Sequence, residues 1–273
     1  MAAAAASLGF ALGGAVFPQA IETLIRSVGW RHAYVTLGAL VFATMLPVGL
    51  LLFRDRPERF GLAPDLGAPP SPRSKSEVSF TRREAMHTAV FWTLAAANAL
   101  SNALGTGLLL NHYDLLARAG FPREVAVVAF APLAMVQVLS ALVAGPLVDR
   151  ISPHRLMVLP MTAMAASCLL VATIGSTRAL VVYAVVLGLA LGSFQAINIA
   201  VYAHHFGRGH LGEIRGVTFV ITIVGAALGP LPFGWSAAHG GYFPVLASGA
   251  ILCTLVAIAH LIVKPPTPVV VAT

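Results

Sequence analysis

The chain is expected to be an all-α membrane protein with about eight transmembrane helices. Three observations predict this fold class. The composition is 58% hydrophobic and only 10% charged, against about 25% charged in soluble domains. The apolar residues fall into blocks over 1–20, 31–53, 89–111, 125–148, 156–175, 179–203, 216–236 and 243–263, free of Asp, Glu, Lys and Arg except for Arg31 at the edge of the second. Each block is long enough to cross a hydrocarbon layer of ~30 Å at ~1.5 Å rise per residue. The blocks do not alternate polar and apolar residues, as barrel strands would, and unpaired backbone is too costly in lipid, so helices are the only candidates.

The first two blocks and the last two echo each other. Gly14, Pro18, Gly29 and Gly38-Ala39 match Gly225, Pro230, Gly240 and Gly249-Ala250 at a shift of about 211 positions, the mark of an internal repeat. If the repeating unit is a six-helix half, residues 1–53 are the last two helices of a first half and 89–264 are a complete second half. Residues 54–88 link the two, and 265–273 form a tail. The linker's middle, 63–76, is rich in Pro, Gly and Ser and reads as flexible. It ends at Thr81 and Glu84, whose spacing predicts a capping box before the third block.

The formal net charge is +7, and its distribution argues for topology rather than nucleic-acid binding. With the linker placed inside, twelve cations are cytoplasmic: Arg54, Arg56, Arg59, Arg73, Lys75, Arg82, Arg83, Arg150, Arg155, Arg208, Arg215 and Lys264. Five are outside: Arg26, Arg31, Arg118, Arg123 and Arg178. This satisfies the positive-inside rule with both termini cytoplasmic. The first block lacks the basic start of a signal peptide. Cys168 and Cys253 lie inside apolar blocks without metal or redox spacing.

Glycines four apart, at Gly9/Gly13, Gly188/Gly192 and Gly225/Gly229, predict close helix contacts. Pro230 after Gly229 makes that last pair a candidate hinge as well as a packing site. Polar residues within the blocks are the functional candidates. Asn98 and Asn102 share a face of the third, Gln137 lies within the fourth, and Gln195, Asn198 and Tyr202 follow helical spacing on the sixth. They could line a midplane cavity of amide and phenol groups, or serve as interhelical glue. Arg, Lys, Asp and Glu are all absent from mid-block positions. His112 and Asp114 form the nearest proton-handling pair, with an interfacial role as the alternative. The nine histidines sit mostly at block ends, which argues against haem ligation. No metal site, cofactor or hydrolase motif is expected.

The segment Gly145-Pro146-Leu147-Val148-Asp149-Arg150-Ile151-Ser152-Pro153-His154-Arg155 resembles the G-x-x-x-D-R-x-x-x-R loop of the major facilitator superfamily, with the second arginine displaced by one position. Gly145, Asp149, Arg150 and Arg155 would then form a cytoplasmic gate motif. The loop follows the second and eighth helices of that twelve-helix fold, so its position here implies helices 5–12 and an N-terminally truncated chain. Gly29-Trp30-Arg31, the run from Arg56 to Asp65, Phe80 to Trp92, and His205 to Gly216 are similar to the bacterial monocarboxylate and oxalate–formate carriers.

The resemblance implies a secondary transporter that works by alternating access in a bacterial inner membrane. Its partners would be the lipid bilayer and a small organic solute, carboxylates slightly favoured, with a coupled proton or other ion. The buried cation often used by that branch is not visible. Two alternatives stay open: a membrane anchor or cofactor-bearing subunit of an enzyme complex, and a nonfunctional fragment that does not transport alone.

Overall fold

The computed structural model describes residues 2–52, 79–148, 150–207 and 209–263. Strands are absent among these residues, and seven helical segments are long and apolar enough to span a membrane. The chain divides into two compact units, one of Phe17–Glu77 and the other of Met1–Val16 with Val78–Thr273.

The segment α1 (Ala2–Leu52) covers both blocks that were expected as separate spans, as two helices that meet at a kink at Gly29. At ~1.5 Å per residue its length far exceeds one bilayer crossing. The connection expected between residues 20 and 31 is reduced to one residue, Gly29, where φ is 77° and ψ 160°. The residues before it have no loop chemistry. Glu22 and Arg26 form an i,i+4 ion pair at 3.0 Å, and Thr23 donates to the Gln19 carbonyl, so the helix continues until a left-handed residue ends it.

The larger unit holds the remaining helices. After the short α2 (Arg82–Met86) come α3 (Ala89–Leu110), α4 (His112–Arg118), α5 (Arg123–Val128) and α6 (Phe130–Val148). Then follow α7 (Pro153–Leu156), α8 (Val158–Ala172) and α9 (Thr177–Phe206), and finally α10 (Leu211–Leu228), α11 (Pro230–Ala238) and α12 (Phe243–Ile262). Local chemistry sets the starts. The Thr81/Glu84 capping box is present, with the Thr81 amide donating to Glu84 at 2.8 Å and the Glu84 amide donating back at 3.3 Å. Thr88 and Ser176 cap α3 and α9, while Pro153 and Pro230 occupy first-turn positions that need no amide proton.

Five major interfaces hold the bundle: α3 with α10, α6 with α9, α8 with α12, α8 with α9, and α3 with α12. Exchanging the first three spanning segments (α3, α5–α6, α7–α8) with the second three (α9, α10–α11, α12) maps this set onto itself. The bundle is therefore two three-helix repeats. Glycine makes its tightest contacts possible. Gly188 and Gly192 on α9 lie against the carbonyls of Leu133 and Gln137 on α6, and Gly225 and Gly229 on α10 against the backbone of Ala99 and Ala103 on α3. Two of the three expected glycine pairs thus mediate backbone contact between helices. Gly9 and its neighbours carry no described side chains.

Two apolar clusters fill the interior. One gathers Leu104, Leu108, Cys168, Tyr183, Leu187 and Leu246 toward the α3–α4 end. The other gathers Phe91, Leu94, Met157, Met161, Ile197 and Phe206 toward the α2 end. Asn98 sits between them along α3.

Candidate functional site

The polar site is centred on Asn98, which is 2% exposed. Its amide nitrogen lies 3.0 Å from the Asn198 Oδ1 and 2.8 Å from the Tyr202 hydroxyl, both on α9, and 3.0 Å from the Leu94 carbonyl one turn back. From α10, the Thr222 hydroxyl donates to the Thr218 carbonyl at 2.8 Å and reaches the Asn98 Oδ1 at 3.4 Å. Three helices therefore meet at one amide. A buried amide without such partners would cost about 1–3 kcal/mol, so the node specifies how α3, α9 and α10 dock.

The other candidates divide by their remaining hydrogen-bonding capacity. Tyr202 is buried within the node. Asn102 is half-buried and donates to the Asn98 carbonyl at 2.9 Å, leaving its own side-chain oxygen available. Asn198 is half-buried, accepts from Asn98, and keeps its NH₂ group available. Gln195, one turn before Asn198, is exposed, and Gln137 on α6 is half-buried. Thus Asn98 and Tyr202 have their side chains bonded within the protein, while Asn102, Gln195 and Asn198 retain donors and acceptors. Thr222 was missed in the sequence because a threonine that bonds its own helix backbone is common in apolar spans; its spacing from Thr218 was the available signal.

An open groove of about 430 Å³ runs between α3 and α12, lined by Ala89, Trp92, Thr93, Ala96, Leu252, Leu255, Val256 and Ala259. It includes none of the polar candidates.

The gate motif is only partly described. Gly145 and Pro146 lie near the end of α6, and Asp149 falls outside the described residues. Arg150 and Arg155 are exposed, and among the described residues no carboxylate pairs with either. Between them His154 is buried, its ring packed against those of His205 and His260. The hinge candidates Gly225, Gly229 and Pro230 lie along the α3 contact, where Gly229 keeps helical angles and Pro230 opens α11.

At the α3–α4 end, His112 and Asp114 do not form a pair. His112 is buried and its Nε2 bonds the Ala126 carbonyl at 3.0 Å. Burial holds that imidazole below its ordinary pKa, against the opposing effect of the Ala126 bond. Asp114 accepts from Tyr242 at 2.7 Å and from Arg118 at 2.9 Å. The Tyr242 bond holds the Asp114 carboxyl below the usual range. Burial first, then Asp114, pushes the Tyr242 phenol up to about 12. At the opposite end, the Thr81 amide and hydroxyl hold Glu84 low. Among the described residues no group of three His, Cys, Asp or Glu is arranged to hold a metal ion.

A helical bundle of apolar spans, built from two exchanged triplets around an uncharged amide node, defines an integral membrane protein of transporter architecture. The chain belongs to the major facilitator superfamily: the family model described as Major Facilitator Superfamily matches residues 122–272, more than half its length. Members are secondary transporters of small solutes rather than enzymes. No curated protein matches the chain.

Proposed function

We propose that residues 89–264 form a six-helix half of a secondary transporter that binds a small organic solute through Asn102, Gln195 and Asn198. The observation that carries this reading is the split at the Asn98 node. Asn98 and Tyr202 have their bonds within the protein, whereas the three neighbouring amides offer unpaired donors and acceptors on α3 and α9. Amides without a fixed charge suit a solute with carbonyl, carboxylate or hydroxyl oxygens. Small carboxylates lead this class because of the carrier-like segments around Gly29, Arg56, Phe80 and His205. Coupling to a proton or other ion, a bacterial inner-membrane location and cytoplasmic termini complete the proposal. The Gly145–Arg155 loop would act as the cytoplasmic gate and Gly225, Gly229 and Pro230 as the moving contact.

Thermal unfolding of the purified 273-residue chain in detergent, against a panel of one- to six-carbon carboxylates and their uncharged amides and alcohols, tests this. The proposal expects at least one carboxylate to raise the midpoint saturably. A flat response across the panel would count against it.

A further inference from the structure

We propose that His154, His205 and His260 form a proton-binding site that fastens the α6–α8 connection to the ends of α9 and α12. This goes beyond the solute reading and does not depend on it.

The three residues are distant in sequence and converge at the α2 end of the bundle. His154 and His260 are each 1% exposed and His205 is 8% exposed. The His154 ring stacks on His260 with centroids 4.7 Å apart, and meets His205 edge-on at 5.5 Å. His204 extends the group, its ring 5.0 Å from His205.

Hydrogen bonding is incomplete in a way that buried imidazoles rarely tolerate. Both ring nitrogens of His154, and Nε2 of His205 and His260, are buried without a partner. The Val263 backbone lies beside His154 but outside hydrogen-bond geometry. Among the described residues only the His260 Nδ1 has a clear bond, 2.8 Å to the Val256 carbonyl. Packing alone would be served better by apolar rings of the same size. Three imidazoles with spare nitrogens instead provide places for protons.

The surrounding charges decide what a proton does. From α7, Arg155 is exposed; from α9 come His204 and His205; from α12 comes His260. α8, which packs on α7, α9 and α12, contributes no charged side chain. On α10, His210 faces Glu213 and Arg215 acts on Tyr202. Among the described residues no carboxylate faces the cluster. The C-terminal carbonyls of α9 and α12 can stabilise one imidazolium. A second, at 4.7–5.5 Å from the first, meets like-charge repulsion with no counter-ion among the described residues, and gains hydration by leaving. Protonation therefore unfastens α7, and with it the loop carrying Arg150 and Arg155.

Hydrogen exchange of backbone amides 150–157 in the purified full chain, corrected for intrinsic pH dependence and referenced to 162–171 in α8, tests this. Protection of 150–157 should fall at least tenfold between pH 8 and pH 5 in the parent. The fall should be lost in His154→Gln and in His260→Gln, two variants that report independently if one folds poorly. It should persist in His87→Gln, whose histidine is exposed and outside the cluster. Constant protection in the parent, or an undiminished fall in both cluster variants, would overturn the proposal.

Discussion

Asn98 on α3 donates to the Tyr202 hydroxyl on α9 across 2.8 Å, at the boundary between the two apolar clusters of the bundle. The bond joins the two three-helix repeats at residues 104 positions apart. Asn98→Ala should therefore weaken the bundle by removing the bonds that Asn198 and Tyr202 accept from Asn98. Interhelical bonds in membranes average under about 1 kcal/mol, but this residue serves several, so a loss of about 1–2 kcal/mol is expected. Reversible unfolding in mixed micelles measures it. An unchanged midpoint would show that the node contributes nothing to docking.

Glycine substitutions should separate contact positions from open ones. A methyl group at Gly192 or Gly229 would enter the backbone of α6 or α3. Gly192→Val and Gly229→Val should each cost about 1–3 kcal/mol or prevent folding. Gly216→Ala, with open space around its Cα inside α10, should be neutral or stabilising by up to about 1 kcal/mol. Thermal midpoints of the three variants check the contrast.

Much of this bundle was legible in the sequence because it depends on local chemistry and spacing. Six uncharged blocks gave the six spanning segments of the larger unit, Thr81 and Glu84 gave the helix start, and Gly188/Gly192 and Gly225/Gly229 gave close contacts. Their partners α6 and α3 were not legible, since spacing identifies a face but not its neighbour. The histidine cluster was hidden for the same reason. His154, His205 and His260 looked like scattered block ends, and only the packing of α7 against the C-terminal ends of α9 and α12 brings them together. The kink at Gly29 falls within the connection expected between residues 20 and 31, but the pairing of Glu22 with Arg26, which carries the preceding helix up to it, was not legible.

Tyr242 provides a pH test at the α3–α4 end. Its phenol should titrate at about 12, seen as an ultraviolet absorbance step present in the parent and missing in Tyr242→Phe. A raised pKa contributes stability that is complete below pH 10 and is lost as pH rises toward 12. Asp114 has the opposite sign. Its lowered carboxyl contributes stability above its ordinary value of 3.8, and this is lost as pH falls through the lowered pKa. The stability gap between the parent and Tyr242→Phe should be widest between these limits and narrow at both extremes. A gap independent of pH would refute the coupling.

Gly29 should resist substitution for backbone reasons alone. Its φ of 77° lies in a region that side chains rarely adopt, yet a Cβ placed there would meet nothing within 4 Å. Gly29→Val should destabilise the Phe17–Glu77 unit by about 1–2 kcal/mol, and Gly29→Asn by less. Limited proteolysis near this residue reads the effect. Equal behaviour of the two variants would contradict a purely conformational cause.

Solute affinity in amide variants tests the central claim most directly. Using the carboxylate that best stabilises the parent, equilibrium binding should weaken about 5- to 10-fold in each of Asn102→Ala, Gln195→Ala and Asn198→Ala, as expected for one lost hydrogen bond. Phe219→Ala, on the exposed apolar face of α10, should bind as the parent does. Unchanged affinity in all three amide variants would contradict a solute site at the Asn98 node.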